Sequence, residues 1–219
     1  MLDRHLHPRL KPLLNACAVR LDRPGISADG VTLLGFAVGV LALPLLAAGW
    51  YYAALPLLAA GWYYAALAAI VVNRLLDGLD GALARRRGLS DAGGFLDIAL
   101  DFLFYALVPF GFILADPLHN AVAGGWLLFA FIGTGSSFLA FAALAAKHQI
   151  DNPGYAHKSF YYIGGLTEGT ETILLFVLCC LFPAHFVWLA WIFGGLCWLT
   201  TATRIYSGYL TLKQVQRQA

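Results

Sequence analysis

Asp77-Gly78-Leu79-Asp80-Gly81-Ala82-Leu83-Ala84-Arg85, then after seven further residues Gly93-Gly94-Phe95-Leu96-Asp97-Ile98-Ala99-Leu100-Asp101, set four carboxylates into 25 residues of a chain otherwise apolar enough to live in lipid. Residues three or four apart share one face of a helix, so Asp77 pairs with Asp80 and Asp97 with Asp101. Carboxylates are expensive inside a bilayer, and four of them need positive charge between them, most simply one or two divalent metal ions. The remainder of the chain reads as their housing.

That housing is a membrane protein. Of 219 residues 60% are hydrophobic and 12% charged, and the mean hydropathy is +0.73, all far from the values of soluble domains. Apolar runs long enough to cross roughly 30 Å of hydrocarbon fall at about 31–48, 53–76, 94–114, 121–146, 160–182 and 186–208. They predict an all-α integral membrane bundle of six transmembrane helices over 31–208, a single domain filling 1–219. The net charge of +2 matters less than its distribution: Arg4, Arg9, Lys11, Arg20 and Arg23 precede the first run, Arg85 to Arg87 follow the second, Lys147 and Lys158 follow the fourth, and Lys213 and Arg217 follow the last. The opposite connections, around Gly49–Tyr52 or Gly61–Tyr64, Asp116–Asn120 and Pro183–His185, hold neither Lys nor Arg. Positive charge collects on the cytoplasmic side, so both termini and the carboxylates are expected there. Trp50, Tyr51, Trp62 and Tyr63 suit the other interface.

No cleavable signal is expected, because the first apolar run begins only after about 30 residues and lacks a small-residue cleavage site. Residues 1–25 interleave Leu6, Leu10, Leu13, Leu14, Val19 and Leu21 with five basic residues. This is the pattern of an amphipathic helix on an anionic leaflet, the alternative being a solvated lead-in. Cys17, Cys179, Cys180 and Cys197 show no metal or redox spacing. The segment LPLLAAGWYYAA occurs twice in tandem, at Leu43–Ala54 and Leu55–Ala66. Twelve extra residues amount to about 18 Å of helix, which lengthens the first span, the second span or the outer loop.

Carboxylate pairs on neighbouring antiparallel helices, joined by the basic loop Arg86–Ala92, can converge on one cavity near the cytoplasmic interface. Gly81 lies one turn beyond Asp77 and Ala84 one turn beyond Asp80, leaving helix backbone open to a bulky ligand, with Arg85 at the cytoplasmic end. Carboxylates, metal, a clear stretch of helix and a guanidinium make a receptor for a nucleotide diphosphate, with metal on the bridging oxygens and Arg85 on phosphate.

These residues, Asp77-x-x-Asp80-Gly81-x-x-Ala84-Arg85 and Gly93-x-x-x-Asp97-x-x-x-Asp101, closely resemble the signature of the class I CDP-alcohol phosphotransferase family, also called CDP-alcohol phosphatidyltransferases. Length, six spans and the lead-in helix match as well. Two departures stand out: the seven-residue interval Arg86–Ala92 is one shorter than usual, and Ala28-Asp29-Gly30-Val31-Thr32 stands where many members have Pro-Asn-x-x-Thr. The resemblance implies attack by an alcohol hydroxyl on the β-phosphorus of a CDP-linked lipid, CDP-diacylglycerol or another CDP-alcohol, with release of CMP, in phospholipid synthesis. It implies Asp77, Asp80, Asp97 and Asp101 as ligands of Mg²⁺ or Mn²⁺, two ions in all, with Asp101 taking the proton from the attacking hydroxyl. Asp77, Gly81, Ala84 and Arg85 would seat the nucleotide. It further implies a bacterial inner membrane location, a small alcohol acceptor, and a homodimer for which Gly133, Gly135, Gly164 and Gly165 would allow close packing. No nucleic acid partner is expected. Two other readings compete. A UbiA-type prenyltransferase also uses aspartates and magnesium on a diphosphate, but resembles two separated motifs in a longer bundle. A cation transporter would need acidic residues along the bilayer, and here they cluster at one end.

Other polar residues remain with alternatives open. Arg74, one turn before Asp77, either pairs with a site carboxylate or binds a phosphate. Glu168 and Glu171 sit at helical spacing in the fifth run and either recognise the acceptor or satisfy Arg204. Lys147 and Lys158, with His148 and His157 beside them, either draw in an anionic acceptor or serve only as topology signals.

Overall fold

Helix α4 (Pro56–Arg87) and helix α5 (Asp91–Ala115) carry the two halves of the carboxylate motif, and the rest of the fold is arranged around them. The protein is described by a computed structural model covering residues 3–22, 25–48, 56–150 and 166–218, and its regular structure there is entirely helical. Before α4 come α1 (Asp3–Leu21), α2 (Ala28–Val40) and α3 (Ala42–Ala48); after α5 come α6 (Pro117–Lys147), α7 (Gly169–Leu181), a 3₁₀ turn at Pro183–His185, and α8 (Phe186–Gln218).

Local chemistry explains the boundaries. Ser27 caps α2 by accepting from the Gly30 amide at 3.0 Å, Ser90 caps α5 through the Gly93 amide at 3.0 Å, and Asp116 caps α6 through the His119 amide at 3.2 Å, with Pro117 at its first position. The first expected span is two helices. Pro44 has no amide to offer the Val40 carbonyl and its ring crowds that turn, so α2 stops at Val40 and α3 restarts after Leu41.

Four stretches among the described residues are long and apolar enough to cross a membrane: Ala28–Ala48, Asp91–Ala115, Pro117–Lys147 and Pro183–Val215. They match the first, third, fourth and sixth expected spans. The second is longer than expected, because α4 runs unbroken for 32 residues, about 48 Å. It carries Asn73, Arg74, two aspartates and three arginines that dilute its apolar character. For the fifth, α7 supplies only the 13-residue, largely apolar helix Gly169–Leu181, and 160–165 fall outside the described residues. The duplicated segment divides between helices. Leu43–Ala48 of the first copy lie in α3, while Pro56–Ala66 of the second are continuous with α4 and lengthen it; Trp50 and Tyr51 lie outside the described residues.

The core is aromatic and aliphatic, built from Leu46, Ile70, Phe104, Phe112, Leu127, Phe176 and Phe186. Phe112 stacks on Phe186 at 4.6 Å and on Tyr63 at 5.7 Å, so Tyr63 serves that core. Large apolar side chains also face outward, among them Leu118 at 84% and Trp188 at 70% exposure, as expected of a lipid-facing surface. Cys179, Cys180 and Cys197 are buried free thiols.

The α4–α5 connection is only Gly88, Leu89 and Ser90, with Gly88 at φ +104°, a left-handed conformation that glycine adopts without strain. Beyond this turn the two helices pack mainly through α2 and α3, which contact both. Their facing sides are thereby held apart around a cavity.

Candidate active site

All four motif carboxylates line that cavity. Thr32 and Gly35 of α2, Asn73, Arg74, Asp77 and Asp80 of α4, and Asp97 and Asp101 of α5 surround a space of about 10 Å³, close to the least that admits one water or ion. Carboxylate oxygens of Asp77, Asp97 and Asp101 lie within 4.8 Å of one another. Asp80 is buried at 4% exposure, and its Oδ2 has no hydrogen-bond partner among the described residues. A buried carboxylate oxygen without a partner is costly, and an all-oxygen donor set suits a hard divalent cation. The residues therefore fit the metal that their spacing predicts.

α2 is anchored against the site by glycine. Asn73, itself buried, donates from Nδ2 to the Gly35 carbonyl at 2.7 Å. A Cβ on Gly39 would lie 2.8 Å from the same Nδ2 and 2.9 Å from Phe104, and one on Gly35 would lie 3.0 Å from Leu76 Cβ. These close approaches bring Thr32, from the segment that departs from Pro-Asn-x-x-Thr, onto the cavity wall.

Arg74 takes the first of its two expected roles. Its Nη2 lies 2.8 Å from Asp101 Oδ1 and its Nη1 3.6 Å from Asp77 Oδ2. Arg86 and Arg87 do not serve the cavity: they reach 64 and 65 residues back to Asp22, at 3.4 and 2.8 Å, and Arg87 also donates to the Ile26 carbonyl. Those bonds pin α1 to the end of α4, where Leu14 fills the notch left by Gly78 at 3.0 Å from an added Cβ. No signal in the sequence points to Asp22, because its partners are so remote.

The cavity opens into a cleft of about 1550 Å³. Leu10 and Leu14 of α1 border it at one end, Gly81, Ala84 and Arg85 line it beside the aspartates, and Phe102, Ile132 and Val177 give it apolar walls farther on. The Arg85 guanidinium folds back over Gly81, 3.4 Å from where a Cβ would stand, so the expected nucleotide-seating residues share one surface. Glu168 and Thr170 also line the cleft. Glu171 instead caps α7, accepting from the Glu168 amide at 3.2 Å. Arg204 reaches across to α6, donating to the Thr134 carbonyl at 2.8 Å. Lys147 is exposed at the end of α6 and is not among the cleft-lining residues; Lys158 and His157 lie outside the described residues. Gly133 and Gly135 pack within the chain, against Trp198 and Phe102, rather than lying free for a second copy; Gly164 and Gly165 are outside the described residues.

Four aspartates around one cavity that opens into a largely apolar cleft, in a chain with four helices long and apolar enough to cross a membrane, define a membrane protein with a site suited to a divalent metal. Residues 26–203 match the family model described as CDP-alcohol phosphatidyltransferase, and the chain belongs to that family: it is an integral membrane transferase of phospholipid synthesis. It is 77% identical over 218 residues, covering 100% of both chains, to the inner membrane protein YnjF of Escherichia coli strain K12. It is 28% identical over 202 residues, covering 92% of this chain and 93% of the relative, to archaetidylinositol phosphate synthase of Pyrococcus horikoshii. Its fold resembles Mycobacterium tuberculosis phosphatidylinositol phosphate synthase crystallised with CDP-DAG bound, with TM-score 0.64, 20% identity, 90% of this chain and 94% of that one covered. A second structure of that protein, in complex with manganese and citrate, matches at TM-score 0.64 and 21% identity, covering 90% and 88%.

Proposed function

We propose that this protein transfers a phosphatidyl group from CDP-diacylglycerol to the hydroxyl of a small alcohol, releasing CMP at the cytoplasmic face of a bacterial inner membrane. The observation that carries the proposal is the junction of the four-aspartate cavity with an apolar cleft of about 1550 Å³, large enough for a lipid, with Gly81, Ala84 and Arg85 beside the carboxylates. The mycobacterial structure with CDP-DAG bound supports the donor, and the manganese complex supports the cofactor.

Asp77, Asp80, Asp97 and Asp101 would hold Mg²⁺ or Mn²⁺, two ions on charge grounds, which when bound neutralise the diphosphate and stabilise departing CMP. Asp77, Gly81 and Ala84 seat the nucleotide against α4, and Arg85 holds a phosphate oxygen by charge-assisted hydrogen bonds. Asp101 accepts the proton of the acceptor hydroxyl, whose oxygen bonds to the β-phosphorus as the bond from that phosphorus to the bridging oxygen breaks. CMP carries the bridging oxygen away. Glu168, which lines the cleft, is the better placed of the acceptor candidates; Glu171, Lys147 and Lys158 complete the set. The orientation follows the Lys and Arg distribution. A six-helix bundle follows if α4 and the segment ending in α7 also cross the bilayer, with α1 lying on the cytoplasmic leaflet and 1–219 forming one domain. Homodimers complete the proposal.

The test is CMP release by purified protein with CDP-diacylglycerol, Mg²⁺ and a panel of alcohol acceptors. Release that depends on one acceptor, stops with chelator and is absent in Asp101→Asn supports the reaction and names the acceptor. Release in Asp101→Asn equal to the parent overturns the assignment of Asp101.

A further inference from the structure

Among the described residues Arg74 is the one cation lining the carboxylate cavity, and several neighbours hold it there. Its Nε donates to Asn73 Oδ1 at 2.7 Å, and Asn73 is fixed by its bond to the Gly35 carbonyl. Its Cζ lies over the Phe104 ring at 4.5 Å and the Tyr105 ring at 5.7 Å from the centroids. The two remaining nitrogens face Asp101 at 2.8 Å and Asp77 at 3.6 Å, two of the three aspartates whose oxygens converge within 4.8 Å. A guanidinium so packed is not a mobile surface arginine that swings toward a ligand. The aromatic faces, the asparagine and α2 all fix its fork toward the carboxylates.

We infer that Arg74 is a resident counter-cation, a positioning residue that holds Asp77 and Asp101 together before a divalent ion arrives and competes with that ion for the same oxygens. This rests on the reading of the aspartates as metal ligands. Without a cation, like-charged carboxylates this close repel one another; with Arg74 they are held, but any arriving ion meets a fixed positive charge one contact away. The arrangement therefore trades metal affinity for a site already shaped when it is empty. A phosphate-binding role makes a different demand, since the guanidinium would have to leave both carboxylates to reach a ligand.

The experiment is Mn²⁺ binding by calorimetry, together with thermal melting in chelator and in saturating Mn²⁺, for the parent, Arg74→Gln and Arg74→Lys. Counter-cation action expects Arg74→Gln to melt lower than the parent in chelator, with the gap narrowing in Mn²⁺, and to bind Mn²⁺ roughly tenfold more tightly. Arg74→Lys keeps the charge and should bind Mn²⁺ within about threefold of the parent. Weaker binding in both variants, or a melting gap indifferent to Mn²⁺, overturns the inference. If Arg74→Gln does not fold, Arg74→Lys decides alone, because its smaller melting gap must still narrow with Mn²⁺. A parent that binds no Mn²⁺ overturns the metal reading itself, a result distinct from a parent that binds while the variants fail to differ as described.

Discussion

The α4–α5 hairpin and the α6–α8 pair are both apolar helix pairs, yet they are held together by different means. Around α4 and α5 the interactions that matter are polar: an arginine of α4 on an aspartate of α5, an asparagine of α4 on a carbonyl of α2, and a buried carboxylate oxygen with no partner among the described residues. Between α6 and α8 they are glycines and indoles. Trp126 stacks on Trp191 at 5.1 Å and lies where a Cβ on Gly194 would be, while Trp198 packs at 3.3 Å from an added Cβ on Gly133. Polar groups buried within a membrane bundle are costly and so mark function, whereas close packing through small residues is a principal means by which membrane helices associate. Damage to the first region should therefore appear in turnover, and damage to the second in stability.

The sharpest break in this contrast is Asp80→Asn. The substitution keeps the volume and removes the charge that the cavity is shaped to use, so turnover should fall by roughly 10²–10³-fold or more, with the melting temperature held or raised. A variant that retains turnover in a CMP-release assay would unseat Asp80 from the site.

Gly194→Ala probes the other side. The added methyl meets the Trp126 ring, and relieving that overlap should cost about 1–3 kcal/mol of stability. Turnover per folded molecule should stay near the parent's. Equal losses in both quantities would mean that the two regions are coupled and that the contrast is too simple.

The carboxylates were legible in the sequence because charge is rare there, and spacings of three and four residues place it on one helix face without any need of tertiary information. Asp77, Asp80, Asp97 and Asp101 were found on that ground and do line one cavity. Small residues were harder to interpret. Gly133 and Gly135 signal close approach by something, but a missing side chain does not say by what, and the partners turn out to be Trp198 and Phe102 of the same chain. Hydropathy alone also misjudged α4, whose membrane and site portions are one continuous helix with the second copy of the duplication at its start. Glu171, an acid in an apolar run, reads from sequence either as an acceptor ligand or as a partner of Arg204; that it also accepts from the Glu168 amide as the third residue of α7 is not announced by its spacing.

Arg85→Ala tests whether nucleotide and metal are held by separate groups on the same wall. Loss of one charge-assisted contact of about 1.5 kcal/mol corresponds to roughly a tenfold rise in KM for the CDP-linked lipid. Mn²⁺ affinity should hardly change. A parallel loss of metal binding would mean that the guanidinium supports the carboxylates instead of the ligand.

The smallest effect is expected at the edge of the site, where Asp22 ties α1 to α4. Hydrogen bonding from Arg87, with that from Arg86 and the charges of both, outweighs desolvation and holds the Asp22 carboxyl below its ordinary value. A group whose folded pKa is depressed adds stability above its unfolded pKa and loses it as pH falls through the lower, folded one. The docking of α1 should therefore be intact near neutrality and weaken only in acid below about pH 4. Since Asp22 is solvent-exposed, screening leaves the pair little energy, and Asp22→Asn should change turnover by no more than about threefold. The informative readout is local: protease sensitivity of α1, which rises in the parent at low pH and should already be high and nearly pH-independent in Asp22→Asn. If α1 is equally protected in both at neutral pH, Leu14 in the Gly78 notch is enough to dock it, and the arginines of α4 hold Asp22 without holding the helix.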